Sequence, residues 1–105
     1  MIKSFRDKET KDLFLRRFSR RFPANLYGIV WRKLAILDAA ERLDDLRIPP
    51  GNRLEKLLGD REGQYSIRIN DQWRVCFQWS DGNAYNVQIV NYHLKVNVVN
   101  FLSYS

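Results

Sequence analysis

Only one cysteine occurs in the chain, Cys76, which excludes an internal disulfide and a cysteine-built zinc site and removes any need for an oxidising compartment. Lying in a strand-like run, Cys76 reads as a buried thiol. Histidine is equally scarce, with His93 alone, and the acidic residues form no cluster of the kind that holds a catalytic magnesium ion. No glycine-rich phosphate loop is present either, so the sequence offers no metal or nucleotide cofactor a binding motif. Long apolar runs are missing as well. The N-terminal MIKSFRDKET becomes charged too soon for a signal peptide, and nothing approaches the ~18 apolar residues of a membrane span. A cytoplasmic protein without membrane contact is the expectation.

What the chain does have is positive charge and aromatic rings. Its 105 residues carry a formal net charge of +6, with three Trp, five Tyr and six Phe among 45% hydrophobic residues. That is enough apolar material for one self-sufficient core and too little length for two, so residues 1–105 are read as a single domain. The balance favours a polyanionic partner such as RNA, DNA or an acidic protein. The excess is concentrated at the start: Met1 to Pro23 holds eight Lys or Arg against three Asp or Glu, a net +5.

Periodicity divides the chain in two. Ile2 to Phe5 could form a short strand, and Asp7 or Thr10 could cap a helix running through Leu13, Phe14 and Phe18. If that helix continues, Arg16, Arg17, Arg20 and Arg21 share one face, either as a solvated surface or as a contact for nucleic acid or an acidic partner. Pro23 suits the first turn of a second helix, with Leu26, Val30, Leu34 and Leu37 on its core side and Tyr27 and Trp31 packed beside them. Pro49, Pro50 and Gly51 then break the chain into a loop.

From Arg53 onward the period is two. Tyr65, Ile67 and Ile69, then Trp73, Val75, Phe77 and Trp79, then Tyr85, Val87 and Ile89 alternate with more polar residues, which predicts three strands. Asp81 and Gly82 supply the last turn. The fold class is therefore α+β, two N-terminal helices on one face of a mainly antiparallel sheet.

Register supplies a functional clue. Placing Ile67 beside Val75 puts Arg68 beside Arg74. Two opposed arginines repel each other unless water or a bridging anion such as phosphate intervenes. Ser66 and Gln78 share that face, with Arg53, Lys56 and Arg61 within reach, an inventory suited to phosphate. RNA can be cut without a metal, because its own 2′-hydroxyl attacks the adjacent phosphate if the protein moves protons and supplies positive charge. His93, after Tyr92 at the end of the last strand, is either a structural histidine or a proton carrier.

The opening MIKSF, the stretch PPGNRLEKLLGDREGQYSIRINDQWRVCFQW from Pro49 to Trp79, and VQIVNYH from Val87 to His93 closely resemble the HigB-type toxins of the RelE/ParE superfamily. The resemblance spans residues 1 to 93. It implies a RelE-like fold and a ribosome-dependent mRNA endonuclease of a type II toxin–antitoxin system, neutralised by a helix-turn-helix antitoxin called HigA. It further implies that Arg68 and Arg74 bind the phosphate and transition state, that His93 transfers protons and that Tyr92 stacks on or orients the nucleotide. Arg53, Arg61 and the stripe Arg16, Arg17, Arg20 and Arg21 would contact mRNA or ribosomal RNA. Two departures stand out. The family commonly has lysine before the Gly-Asp pair where this chain has Leu58, a loss that Lys56 would partly offset from the same strand face. LKVNVVNFLSYS, residues 94–105, continues past the histidine at which such chains usually stop. A non-catalytic module, either a ParE-like gyrase inhibitor or an inactive relative that only binds its antitoxin, is the alternative.

Overall fold

A computed structural model of the chain describes residues 1–91; Tyr92, His93 and the extension 94–105 lie outside the described residues. The element order is α1 (Lys8–Phe14), α2 (Tyr27–Ala39), β1 (Glu55–Lys56), β2 (Gln64–Arg68), β3 (Trp73–Ser80) and β4 (Asn83–Asn91). The four strands form one antiparallel sheet in sequential order β1-β2-β3-β4. Both helices cover a single face of it. Sequence periodicity anticipates three of these strands and both helices; the two-residue β1 is too short to leave a periodic signal.

The core lies between the helices and the sheet. Leu13 from α1 and Val30, Leu34 and Leu37 from α2 are buried against Ile67, Val75, Phe77, Val87 and Ile89. Burying a side chain of this size stabilises the fold by roughly 1.5–3 kcal/mol relative to exposure, so these positions dominate folding. Asp7 caps α1 by accepting the Thr10 backbone N–H at 2.7 Å, and Thr10 Oγ1 accepts the Ile89 N–H, tying the first turn of the helix to β4. The segment before α1 is laid parallel along the edge of β4, with bridges Ile2 to Ala84 and Phe5 to Val87. That arrangement leaves β4 without an open edge over this stretch.

Two sequence expectations change. The first helix does not run on through Phe18. Arg16 adopts a left-handed φ of 65°, which ends the helical path after Phe14. Trp31 Nε1 donates to the Leu13 carbonyl at 2.7 Å, and Tyr27 Oη both donates to the Ser19 carbonyl and accepts its N–H. These side chains of α2 hold residues 15–19 as an irregular loop against the end of α1, so the four arginines do not form a helical stripe.

The second change concerns β4. Cys76 pairs with Gln88 but Gln78 pairs with Tyr85, so Phe77 faces two residues, Asn86 and Val87. This is a β-bulge, with Asn86 at φ 53°, its N–H bonded to Ser4 Oγ and its Nδ2 to Gln78 Oε1. The extra residue inverts the alternation. Tyr85 therefore sits on the Gln78 side of the sheet, not with Val87 and Ile89 as strict period-two reading expects.

Candidate RNA-binding face

The face of the sheet turned away from the helices is built from the alternate positions of β2, β3 and β4. The register pairs Arg68 with Arg74 and Ser66 with Cys76, as the hydrophobic alternation anticipates. The face is less polar than the sequence suggests, because Leu57, Cys76 and Val90 form a small buried apolar cluster on it. Arg74, flanked by Ser66 and this cluster, is only 6% exposed.

A buried guanidinium is tolerable only with its donors satisfied. Nε of Arg74 donates to Ser66 Oγ at 2.8 Å, and Nη2 donates to the Arg53 carbonyl at 2.5 Å and to the Ser66 carbonyl at 3.3 Å. Glu55 Oε1 stands 3.8 Å from Nη1. Arg53 can present its carbonyl in this way because it takes a left-handed conformation, φ 45° and ψ 58°, at the end of the turn Pro50–Asn52. Arg74 is thus a fixed charge. Arg68 is partly exposed and pairs only with the fully exposed Asp71 among the described contacts.

The remaining expected contacts are distributed unevenly. Arg61 joins the same face, where Nη1 donates to Gln64 Oε1 and Gln88 Oε1, each at 3.2 Å, while its buried Nε has no hydrogen-bond partner among the described residues. The Arg53 side chain is exposed beside the loop. Lys56 is not on this face. Its register partner is Tyr65, whereas Glu55 pairs with Ser66, so the cross-strand geometry that brings Glu55 toward Arg74 turns Lys56 to the opposite side. Leu58 follows β1 at 79% exposure. Arg16 lies over the Trp31 ring at 4.2 Å, Arg17 pairs with Asp12, and Arg21 pairs with Asp7 and Glu9. These three are engaged in separate local contacts, and Arg20 is exposed. Tyr92 and His93 fall outside the described residues.

One functional candidate is missed by sequence reading. Lys33 on α2 is 8% exposed, has no carboxylate partner among the described residues, and donates through Nζ to Asn52 Oδ1. Burial, reinforced by the nearby Arg32 and Arg68 charges, pushes its pKa below the ordinary lysine value of 10.5. The signal was present in the helical pattern: position 33 falls three residues after Val30 and four before Leu37, inside the apolar stripe.

A profile of RelE-like toxins of the type II toxin–antitoxin system HigB matches residues 3–93. The chain belongs to the HigB-like toxin family. It is 47% identical over 87 residues to Toxin HigB-1 of Vibrio cholerae, covering 77% of this chain and 92% of that protein. Endoribonuclease HigB of Proteus vulgaris is 36% identical over 93 residues, covering 89% of this chain and all of that protein. Among solved structures, a YoeB-YefM complex from Staphylococcus aureus superposes with a TM-score of 0.54 at 16% identity, over 85% of this chain and 94% of that one, a likeness of fold. The RelE-like architecture of two helices on an antiparallel sheet is thus shared. As a member of a type II toxin family, this HigB-like toxin has an antitoxin as its partner. No helix among the described residues is long and apolar enough to cross a membrane.

Proposed function

We propose that this HigB-like toxin is an endoribonuclease that cuts mRNA on the ribosome and so halts translation. Family membership and the name of the Proteus vulgaris relative support the nuclease class. The observation that carries the chemistry is the in-register pair Arg68 and Arg74, two guanidinium groups on one sheet face. A phosphate seated between them would relieve their repulsion, and the charge would be worth most as negative charge grows on the phosphorane.

In this reading the RNA 2′-oxygen loses its proton and forms a bond to the neighbouring phosphorus. The bond to the 5′-oxygen breaks, and that oxygen takes up a proton. His93 moves protons and Tyr92 orients the nucleotide, while Arg68 holds the phosphoryl oxygens and the buried Arg74 adds its fixed positive charge beside them; no metal is required. Arg53 and Arg61 extend the phosphate contact. The whole chain acts as one toxin domain in the bacterial cytoplasm, with residues 94–105 extending it, and a helix-turn-helix antitoxin of the HigA type neutralises it.

Purified protein should cleave mRNA when ribosomes are present and leave naked mRNA intact. Arg68→Ala is the cleanest variant because Arg68 is partly exposed, and it should slow cleavage by about 10²-fold, the scale of one lost transition-state donor. Equal cleavage of naked mRNA would overturn ribosome dependence. If induction disturbed DNA supercoiling before translation fell, the gyrase-directed alternative would replace the nuclease.

A further inference from the structure

The loop 49–53 is held from beneath by a buried polar contact that the cleavage reading does not use. Asn52, wholly buried, donates through Nδ2 to the Leu46 and Ile48 carbonyls, both at 3.2 Å, and accepts from Lys33 Nζ through Oδ1. Its own N–H bonds the Pro49 carbonyl at 2.9 Å. The next residue is Arg53, whose carbonyl receives Arg74 Nη2. A continuous path therefore leads from the centre of α2, through one asparagine and one peptide unit, to the buried arginine.

We propose that Lys33 and Asn52 are positioning residues: by pinning the loop to α2 they fix the Arg53 carbonyl, and through it the orientation of the Arg74 guanidinium. The economy of the arrangement supports this. Burying an amine opposite no carboxylate is unfavourable, and an aliphatic side chain would fill the same stripe of α2 without that penalty. A lysine there is useful for the acceptor it reaches. Lys33 spans from helix to loop where a shorter polar side chain would fall short, and Asn52 converts that single donor into three anchored bonds. The functional part of the inference rests on Arg74 belonging to the RNA-binding face; its structural part does not.

The test uses the full chain and two readouts. In ¹⁵N-labelled protein, the Arg74 Nε–Hε signal, assigned by its loss in Arg74→Lys, reports the Ser66 hydrogen bond directly. In Lys33→Met this signal should shift and its hydrogen should exchange about tenfold faster, the scale of one weakened buried hydrogen bond, while Lys33→Arg restores much of the protection. Asn52→Asp, which keeps an acceptor for Lys33 but gives up the Nδ2 donors, should loosen Arg74 in the same sense. On ribosomes, Lys33→Met should lower kcat by about tenfold with KM little changed, because the misplaced charge is felt most in the transition state. An unmoved Arg74 signal in folded Lys33→Met and Asn52→Asp would overturn the proposal, as would unfolding of both variants, which would make the contact a term in global stability. A moved signal with unchanged kcat would keep the positioning and discard Arg74 as a member of the cleavage site.

Discussion

Arg68 and Arg74 are direct partners across β2 and β3, yet one is held at its Nε and Nη2 by protein oxygens while the other pairs with a single exposed carboxylate. The pair is asymmetric, and conservative substitution should expose the asymmetry. Arg74→Lys cannot satisfy both Ser66 and the Arg53 carbonyl, and leaving buried acceptors unmet costs about 1–3 kcal/mol. Arg68→Lys alters a contact near solvent and should change stability by about 0.5 kcal/mol or less. Urea unfolding of the two variants gives the comparison; equal midpoints would contradict it.

Leu58 stands exposed past the end of β1, immediately before the turn Gly59–Arg61 that leads to Arg61, and Lys56 within β1 lies on the other face of the sheet. Leu58→Lys should therefore raise ribosome-dependent cleavage, by about tenfold for one flexible cation brought to the rim, with little change in thermal stability. Lys56→Ala should leave the rate within about threefold, since solvent screens a charge on the far face. The two rates measured side by side decide the matter. A larger loss from Lys56→Ala than gain from Leu58→Lys would return Lys56 to the site.

The loop after α1 yields a local prediction. Trp31→Phe keeps a ring beneath Arg16 but removes the Nε1 donor to the Leu13 carbonyl. The loss should be about 1 kcal/mol, which corresponds to roughly fivefold more frequent local opening. Trypsin cleavage within residues 16–21, followed by mass spectrometry under native conditions, should accelerate by that factor. Unchanged cleavage would mean that Tyr27 and Ser19 alone secure the loop.

These residues also show what the sequence could and could not disclose. The opposed arginines were legible because β2 and β3 alternate cleanly and one apolar pairing, Ile67 with Val75, sets the register of every other pair. Tyr85 was misplaced because a bulge at Asn86 is decided by contacts from Ser4 and Gln78, distant in sequence or across the strand. The end of α1 at Phe14 was illegible for the same reason, since Trp31 and Tyr27 impose it from another helix. Burial of Arg74 was hidden by its polar identity: alternation assigns it a face, but only the Leu57, Cys76 and Val90 cluster shows that the face is partly covered.

Lys33 gives the fold a pH dependence whose sign is fixed. Its pKa in the folded chain lies below the 10.5 of the unfolded chain, with burial the main cause and Arg32 and Arg68 adding to it. Below the folded pKa both states carry the proton and the folded state bears the full penalty of a buried charge. Between the folded value and 10.5 the folded chain has released the proton while the unfolded chain still binds it, so stability rises with pH across that window. The difference in unfolding free energy between wild type and Lys33→Met should therefore move in favour of wild type on approaching pH 10.5 and level off above it. Arg68→Gln, by removing one repelling charge, should reduce the rise. Urea titrations at a series of alkaline pH values measure it; a flat difference would show that Lys33 keeps an ordinary pKa, and a falling one that its pKa in the folded chain is raised.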